Sequence, residues 1–499
     1  MSSAGTPGRD PPSAADPESA AAELALGNAC MQAGRYADAA AAYARSVALA
    51  PGNASAHNNL AVAFAEQRLF DRALPHYREA LRLDRGYAEA HYNLGNALRE
   101  LARNADALAS YDRALALRPN WAGAHCNRGL ALAAQGQQAA AEAAYRAALA
   151  IEPGHAEARN NLGLAVQLQG RLDEARAHFD AAVARAPEFA SPRANRAHLA
   201  LLRGDFAEGW PEYEWRWRLP GLVLPSIPVP VWDRSPPAGR TILLRAEQGF
   251  GDTIQFVRFA AVLSRAGATA IVECQPALAP LLANARGVHA AVPRGAALPR
   301  CDFRIPLASL PGALGLRDLA GIPAEVPYLA LDAARCERWR ATLAHCAGGK
   351  IGIAWRGNPK HPQDCHRSIP PERFAALGAV PAVTLVSLQA GERARGIPGI
   401  VEPVPDPERA PLPFEECAAL IAALDLVVTC DSVMAHLAGA LGVPVWIALP
   451  LVPDWRWLLG RDDSPWYPTA RLFRQARLDD WAPVFARMAA ALRGERSVG

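Results

Sequence analysis

Along residues 21–217, small and apolar side chains return every three to four positions, the spacing of one buried helix face, and the pattern overlays on itself at a shift of 34 residues without slipping. A small residue recurs at Gly27, Ala61, Gly95, Gly129 and Gly163, and alanine at Ala39, Ala73, Ala107, Ala141 and Ala175. An aromatic recurs at Tyr43, Tyr77, Tyr111, Tyr145, Phe179 and Tyr213. A helix-ending position follows at Pro51, Arg85, Pro119, Pro153 and Pro187; proline has no N–H to continue a helix and clashes with the preceding turn. The pattern predicts two antiparallel helices per unit, with small residues letting the pair approach and the aromatic filling the gap between units. The sixth unit, ending GDFAEGWPEYEWRWR, keeps Tyr213 but has Gly209 where alanine recurs, so it reads as a capping or docking repeat.

The period and these positions resemble the tetratricopeptide repeat, which implies an all-α superhelix over 21–217. A second register, Asn59, Asn93, Asn127, Asn161 and Asn195, falls at one position of the first helix of each unit. Asparagine is a mediocre helix former. Two readings stay open: a row of amides gripping the backbone of a bound peptide, similar to the ladder in eukaryotic O-linked N-acetylglucosamine transferases, or bonds between neighbouring repeats. The first would give the chain a protein or peptide partner.

Residues 218–238, LPGLVLPSIPVPVWDRSPPAG, are crowded with proline and read as a linker packed along the next domain. From Gly239 short β-rich runs alternate with helical stretches, the pattern of parallel α/β sheets. The first series is Thr241–Arg245 strand, Asp252–Ala266 helix, Thr269–Cys274 strand and Ala277–Ala285 helix, followed by a helix around Ala334–Ala347. The second is Lys350–Trp355 strand, Pro371–Leu377 helix, Val383–Leu388 strand, Phe414–Ala423 helix, Leu426–Cys430 strand, Ser432–Leu441 helix and Pro444–Leu449 strand. Two doubly wound, Rossmann-like halves, 239–347 and 348–499, are expected to face each other across a cleft, with a last helix at about Trp481–Arg493 crossing back to brace them.

Composition narrows the function classes. With 52 Lys+Arg against 49 Asp+Glu the net charge is +3, which argues against nucleic acid as a partner. Nine cysteines with no C-x-x-C pair fit neither a disulfide framework nor a zinc ribbon and point to a reducing cytoplasm. Residues 1–20 lack an apolar core, so they read as a disordered tail and not a secretory signal. Val433–Pro453 is the one stretch that mimics a membrane span, yet its glycines and prolines predict a buried helix, a turn and a buried strand, leaving no transmembrane segment.

Ligands of open α/β sheets bind beyond the carboxyl ends of the strands. At the first such junction, LLRAEQGFGDTIQFVRF, stand Gln248, Gly249, Gly251 and Asp252. The glycines let backbone approach a ligand and Asp252 would point into the cleft, or else Asp252 is a helix cap and the glycines a turn. At the second, VVTCDSVMAHLAGALGVPVWIALP, Asp431 and Ser432 precede a helix carrying His436. Free N–H groups at that helix start, with the Ser432 hydroxyl, suit a diphosphate; ordinary capping with a satisfied core histidine is the other reading.

Together the two junctions resemble the family 9 glycosyltransferases, which include heptosyltransferases, over about 239–499. The resemblance implies a two-domain GT-B fold, Asp252 as base on the acceptor hydroxyl, and Asp431, Ser432 and His436 holding the nucleotide diphosphate. From AWRGNPKHPQDCHRSIP it implies Arg356, Lys360 and above all Arg367 as phosphate partners. Val433 stands where heptosyltransferases often have glycine, which leaves its amide but changes the loop. Phrases such as AEQGFGDTIQFVRF and KIGIAWRGNPKHPQD resemble bacterial proteins that join tetratricopeptide repeats to such a domain. Trp455, Arg456 and Trp457 either close over the donor or anchor the terminal segment, and His361 and His366, lacking metal-ligand spacing, read as surface or supporting residues.

The expected reaction is metal-independent inverting transfer of a sugar from a nucleotide-diphosphate donor to a hydroxyl, with no cofactor; no two aspartates lie two apart, so a D-x-D metal motif is absent. The repeats would present a protein or peptide. Alternatives are a glycan- or lipopolysaccharide-directed transferase whose repeats assemble a complex, and a non-catalytic scaffold; the chain is expected in the cytoplasm, with a peripheral place at the inner membrane left open. Neither donor base nor sugar is legible.

Overall fold

Each repeat folds as two helices, the series running from Pro17–Gln32 to Phe206–Tyr213. The computed structural model describes residues 17–222, 226–247, 249–359, 363–404, 406, 408 and 411–494. The first helix starts at Pro17, so the expected tail does not extend to residue 20; proline suits a first turn, Glu18 complements the helix dipole, and Ala20 is buried. Residues 1–16 lie outside the described ones.

The turn between the two helices of a repeat needs one left-handed residue, supplied by Gly34, Gly136, Gly170 and Gly204, but by Arg68 (φ 59°) and Ala102 (φ 57°) in the second and third repeats. The second helices end two residues before the recurrent proline, because the residue between, directly preceding the proline, is forced out of the helical region. Where arginine replaces proline, at Arg85, the Asp84 carboxylate accepts from the Gly86 N–H at 2.8 Å and makes the turn instead.

The recurrent tyrosines pack within their own repeat, and the Tyr43 and Tyr111 hydroxyls share the Asn28 and Asn96 acceptors with Asn59 and Asn127 of the following repeat. A Cβ on Gly27, Gly95 or Gly129 would come within 2.4–2.6 Å of the ring of Tyr43, Tyr111 or Tyr145, so each tyrosine lies over the glycine of its own repeat. That contact explains why only glycine or alanine recurs in register, since the ring packs directly over this position and Ala61 beneath buried Tyr77 is the largest residue found there.

The chain divides into two compact units, Met1–Val166 and Gln167–Gly499. The second contains the last repeat helices, Leu172–Arg185, Ala190–Arg203 and Phe206–Tyr213, together with both sheets. Aromatic packing explains this grouping: Trp210 meets Trp455 edge-on at 5.3 Å and Phe256 at 6.4 Å, and Phe206 lies 6.3 Å from Trp466. The 3-10 turn Glu214–Arg218 then pins itself to the first sheet, Arg216 donating to both oxygens of Glu247 at 2.8 and 2.9 Å and to the Ser309 hydroxyl at 2.8 Å. The sixth repeat is thus a docking repeat. Beyond it, Pro230 accepts from the Arg304 N–H and Trp232 donates back to the Arg304 carbonyl, so this part of the linker lies along a sheet edge.

The first sheet holds β1 (Thr241–Arg245), β2 (Thr269–Cys274), β3 (Val288–Pro293) and β4 (Phe303–Pro306), all parallel in the order β3-β2-β1-β4. The second holds β5 (Gly349–Ala354), β6 (Val383–Ser387), β7 (Leu426–Cys430), β8 (Val445–Leu449) and β9 (Ala470–Arg474), parallel in the order β6-β5-β7-β8-β9. The sequence pattern missed β3 and β4, edge strands whose half-exposed residues give no continuous apolar run. The expected helix Asp252–Ala266 is two helices, Phe250–Phe256 and Phe259–Arg265, interrupted where buried Arg258 turns to donate to the Gln255 and Trp466 carbonyls. The last helix, Ala482–Leu492, does not brace both halves as expected; Val484, Phe485 and Met488 fill the core under the second sheet, with Phe485 4.8 Å from Phe374. The membrane-like stretch is a helix, Val433–Ala440, then β8, and among the described residues no helix is long and apolar enough to cross a membrane.

Candidate active site

The carboxyl ends of β1, β5, β6 and β7 open on one cavity of about 990 Å³ in the second unit. Gly249, Gly251 and Asp252 line it from the first sheet, and Arg356, Arg367, Asp431, Ser432, Val433 and His436 from the second. Gln248, Lys360 and His361 lie outside the described residues.

The two junctions meet through a glycine. A Cβ on Gly251 would come within 2.6 Å of His436 Cδ2, so the absent side chain lets the Phe250–Phe256 helix close onto the Val433–Ala440 helix. Gly249 serves the neighbouring step, for a Cβ there would meet Asp252 Oδ2 at 2.7 Å. Gly249 is also the N-cap of that helix, which puts Asp252 inside the first turn and not at the cap.

Asp252 is held. Its Oδ1 accepts from Arg456 Nη2, and Arg456 also donates to Gln255 Oε1 at 2.5 Å and to Asp454 Oδ1 at 2.8 Å. Arg456 sits between two carboxylates and over the Trp455 ring, 4.4 Å from its centroid. Neither tryptophan of this loop swings free: Trp455 and Trp457 are buried, and Trp457 stacks on His436 at 5.5 Å. Trp455 and Arg456 nonetheless line the cavity.

On the other side Ser432 is the helix N-cap, its hydroxyl accepting from the Met434 N–H at 3.3 Å and sharing a hydrogen bond with Thr429 at 2.9 Å. His436 bonds Tyr467 Oη through Nδ1 at 2.9 Å. Burial, reinforced by Arg456, drives its pKa down to about 3, so the ring is neutral. Asp431 goes the other way, up to about 6, because burial and the Asp454 carboxylate outweigh Arg367. Arg367 donates to the Asp431 and Asn358 carbonyls and pairs with Asp364, each at 3.3 Å. Arg356 is more exposed and reaches Glu392 at 3.4 Å and Asp364 at 3.7 Å. His366 is bonded to Asp479 at 3.0 Å. Among the described residues no group of three or more His, Cys, Asp or Glu side chains could hold a metal ion.

Sequence reasoning missed Asp454, His198 and Tyr213, all of which line the cavity. Asp454 directly precedes Trp455, Arg456 and Trp457, the loop already singled out, whereas nothing in the repeat pattern marked His198.

The asparagine register spends its donors on the preceding repeat. Asn59 donates to Asn28 at 3.3 Å, Asn93 to Asn58 at 3.1 Å, and Asn127 to Asn96 at 2.8 Å and Tyr92 at 2.9 Å. Asn161 is buried, 3.9 Å from Cys126 Sγ, and accepts from Asn160. Asn195 lies in the second unit. These contacts favour the inter-repeat reading.

Comparison with known proteins accords with this architecture. Residues 27–67, 70–102 and 95–136 match the TPR repeat family, and 54–83, 126–190 and 169–209 match tetratricopeptide repeat families. Residues 409–449, which include Asp431, Ser432 and His436 but not Asp252, match glycosyltransferase family 9 (heptosyltransferase). Protein FlbA of Caulobacter vibrioides is 28% identical over 327 residues, 60% of this chain and 54% of FlbA. The chain thus spans about half the length of that curated relative. Among solved structures, the MamA protein is 27% identical with a TM-score of 0.32, over 34% of this chain and 93% of MamA. PilW, a widely conserved type IV pilus biogenesis factor, is 27% identical with a TM-score of 0.37, over 40% of this chain and 91% of PilW. The chain therefore carries tetratricopeptide repeats across residues 27–209 and, at 409–449, a segment similar to the family 9 glycosyltransferases.

Proposed function

We propose that the chain is a glycosyltransferase that moves a sugar from a nucleotide-diphosphate donor to an acceptor hydroxyl, with repeats that bind a protein partner or acceptor. The observation that carries this reading is the meeting of two strand–helix junctions on one cavity, Asp252 from the first sheet and Asp431, Ser432 and His436 from the second.

Asp252 takes the acceptor proton as the hydroxyl oxygen attacks the anomeric carbon. The bond from that carbon to the diphosphate breaks with its electron pair leaving on phosphate, and configuration inverts. Arg456 fixes the carboxylate through Oδ1, leaving Oδ2 for the proton. Charge growing on the diphosphate is met by the amides at the start of the Val433–Ala440 helix and by Arg367 and Arg356, which supply positive charge without a divalent ion. His436, neutral and fixed by Tyr467, holds the helix rather than shuttling protons.

The test is a panel of nucleotide sugars, scored for binding and for consumption without added metal. Asp252→Asn should retain donor binding and lose at least about a hundredfold in turnover. Binding of no nucleotide sugar, or an absolute requirement for manganese, contradicts the reading or its metal-free part respectively.

A further inference from the structure

We propose that the last repeat supplies part of the active site: His198 hydrogen-bonds the acceptor hydroxyl and positions it toward Asp252, and an apolar group beside that hydroxyl sits in an adjoining pocket. The proposal rests on the transferase reading above and concerns its acceptor side.

His198 lies in the helix Ala190–Arg203, within the segment 169–209 that matches a tetratricopeptide repeat. The same register position in the earlier repeats holds Asn28, Val62, Asn96, Leu130 and Leu164, so a histidine here is peculiar to the docked repeat. Its ring reaches the large cavity that Asp252 and Asp431 line, and it also borders a second pocket of about 130 Å³ that shares Asp252. Tyr213 supports the ring edge-on, centroids 5.5 Å apart. Among the described residues neither ring nitrogen has a hydrogen-bond partner, which leaves both available to a ligand.

The charges around it are Asp454, Arg456, Arg216 and Asp252, and burial lowers its pKa. A neutral imidazole that donates its one N–H to the hydroxyl oxygen leaves the hydroxyl proton free to point at Asp252. The second pocket is lined by Leu219, Leu222, Phe256 and Leu307, with the buried Arg216–Glu247 pair at one side. A charged acceptor group would have to shed water there against leucine, so the pocket fits an apolar side chain next to the hydroxyl-bearing residue of a polypeptide.

The experiment uses the full chain, the donor found by the nucleotide-sugar panel, and a library of short peptides in which serine, threonine or tyrosine is flanked by leucine or by glutamate. Donor consumption is read with peptide and with water alone. His198→Ala should raise KM for leucine-flanked peptides at least tenfold, leave donor Kd within twofold and keep a cooperative unfolding transition. His198→Gln, which keeps a donor and an acceptor, should restore much of the loss. An unchanged KM in His198→Ala overturns the proposal while leaving the transferase reading standing. So does a wild type that consumes donor with water but transfers to no peptide, and preference for glutamate-flanked peptides overturns the pocket assignment. Failure to bind any nucleotide sugar defeats the transferase reading itself and this proposal with it.

Discussion

The carboxylate of Asp252 is paired with the guanidinium of Arg456, 204 residues later in the chain, and the pair bridges the two sheets. Arg456 is 9% exposed, whereas the side chains of Asp252 and Asp454 keep 38% and 33% of their surface in solvent. Removing a buried cation strands its anions, at about 3–5 kcal/mol when all are buried. With the carboxylates part-solvated, Arg456→Ala should cost about 2–3 kcal/mol in urea unfolding. It should also lower turnover with any donor the chain accepts, because Asp252 loses its fixed orientation.

Gly251 is the other joint between the halves. His436 cannot retreat from a new Cβ, being stacked on Trp457 and bonded to Tyr467. Gly251→Ala should therefore destabilise by about 1–3 kcal/mol and weaken donor binding. Gly52→Ala, where nothing lies within 4 Å, is the matched control and should be near neutral.

These two joints show what was legible in the sequence and what was not. The period of 34 revealed the repeats, because a helix pair must present the same face to each neighbour, and buried parallel strands such as β1, β2 and β7 announced themselves as apolar runs. Gly251, Asp252, Asp431 and His436 stood out because strand ends are where such sheets bind ligands. The Asp252–Arg456 pair was not legible, since charge pairing across 204 residues leaves no local pattern. Nor was the role of His198, whose meaning depends on the last repeat docking through Trp210 and Arg216.

Two groups of the cleft oppose each other in acid. His436 has a folded pKa of about 3, below its unfolded value near 6.5, so between these the unfolded chain binds the extra proton and stability falls as pH falls. Asp431 has a folded pKa of about 6, above its unfolded 3.8, so the folded chain binds the extra proton and stability falls as pH rises. Between about pH 4 and 6 the two slopes, each about 1.4 kcal/mol per pH unit, nearly cancel. Relative to wild type, Asp431→Asn should gain stability with rising pH across that window, and His436→Gln should lose it. Urea midpoints taken at half-unit steps would show opposite difference slopes, and parallel profiles would refute the assignment.

The turn of the third repeat carries avoidable strain. Ala102 has φ 57° where four other repeats place glycine, and a left-handed alanine costs about 1 kcal/mol. Part of that is offset by the greater freedom of an unfolded glycine, so Ala102→Gly should stabilise by about 0.5–1 kcal/mol in thermal or urea unfolding. Arg68 is a poorer choice for the same exchange, since it also pairs with Glu100 at 3.3 Å and covers the Phe70 ring.

The asparagine register separates stability from recognition. Asn127 holds two partners of the preceding repeat, and one of them, Asn96 Oδ1, also accepts from Tyr111 at 2.8 Å, so truncation leaves a partly buried network short of a donor. Net hydrogen bonds are worth about 1 kcal/mol each, and an unsatisfied buried partner adds to that. Asn93→Ala, Asn127→Ala and Asn161→Ala combined should cost about 3 kcal/mol, with Asn127→Ala the largest single loss and a broader unfolding transition as neighbouring repeats uncouple. If the triple variant unfolds at the wild-type midpoint yet loses affinity for a peptide, the amides grip ligand and not each other. The bonds to Asn58, Asn96 and Tyr92 make the first outcome the expected one, because a donor already spent on the preceding repeat must be released before it can serve a peptide.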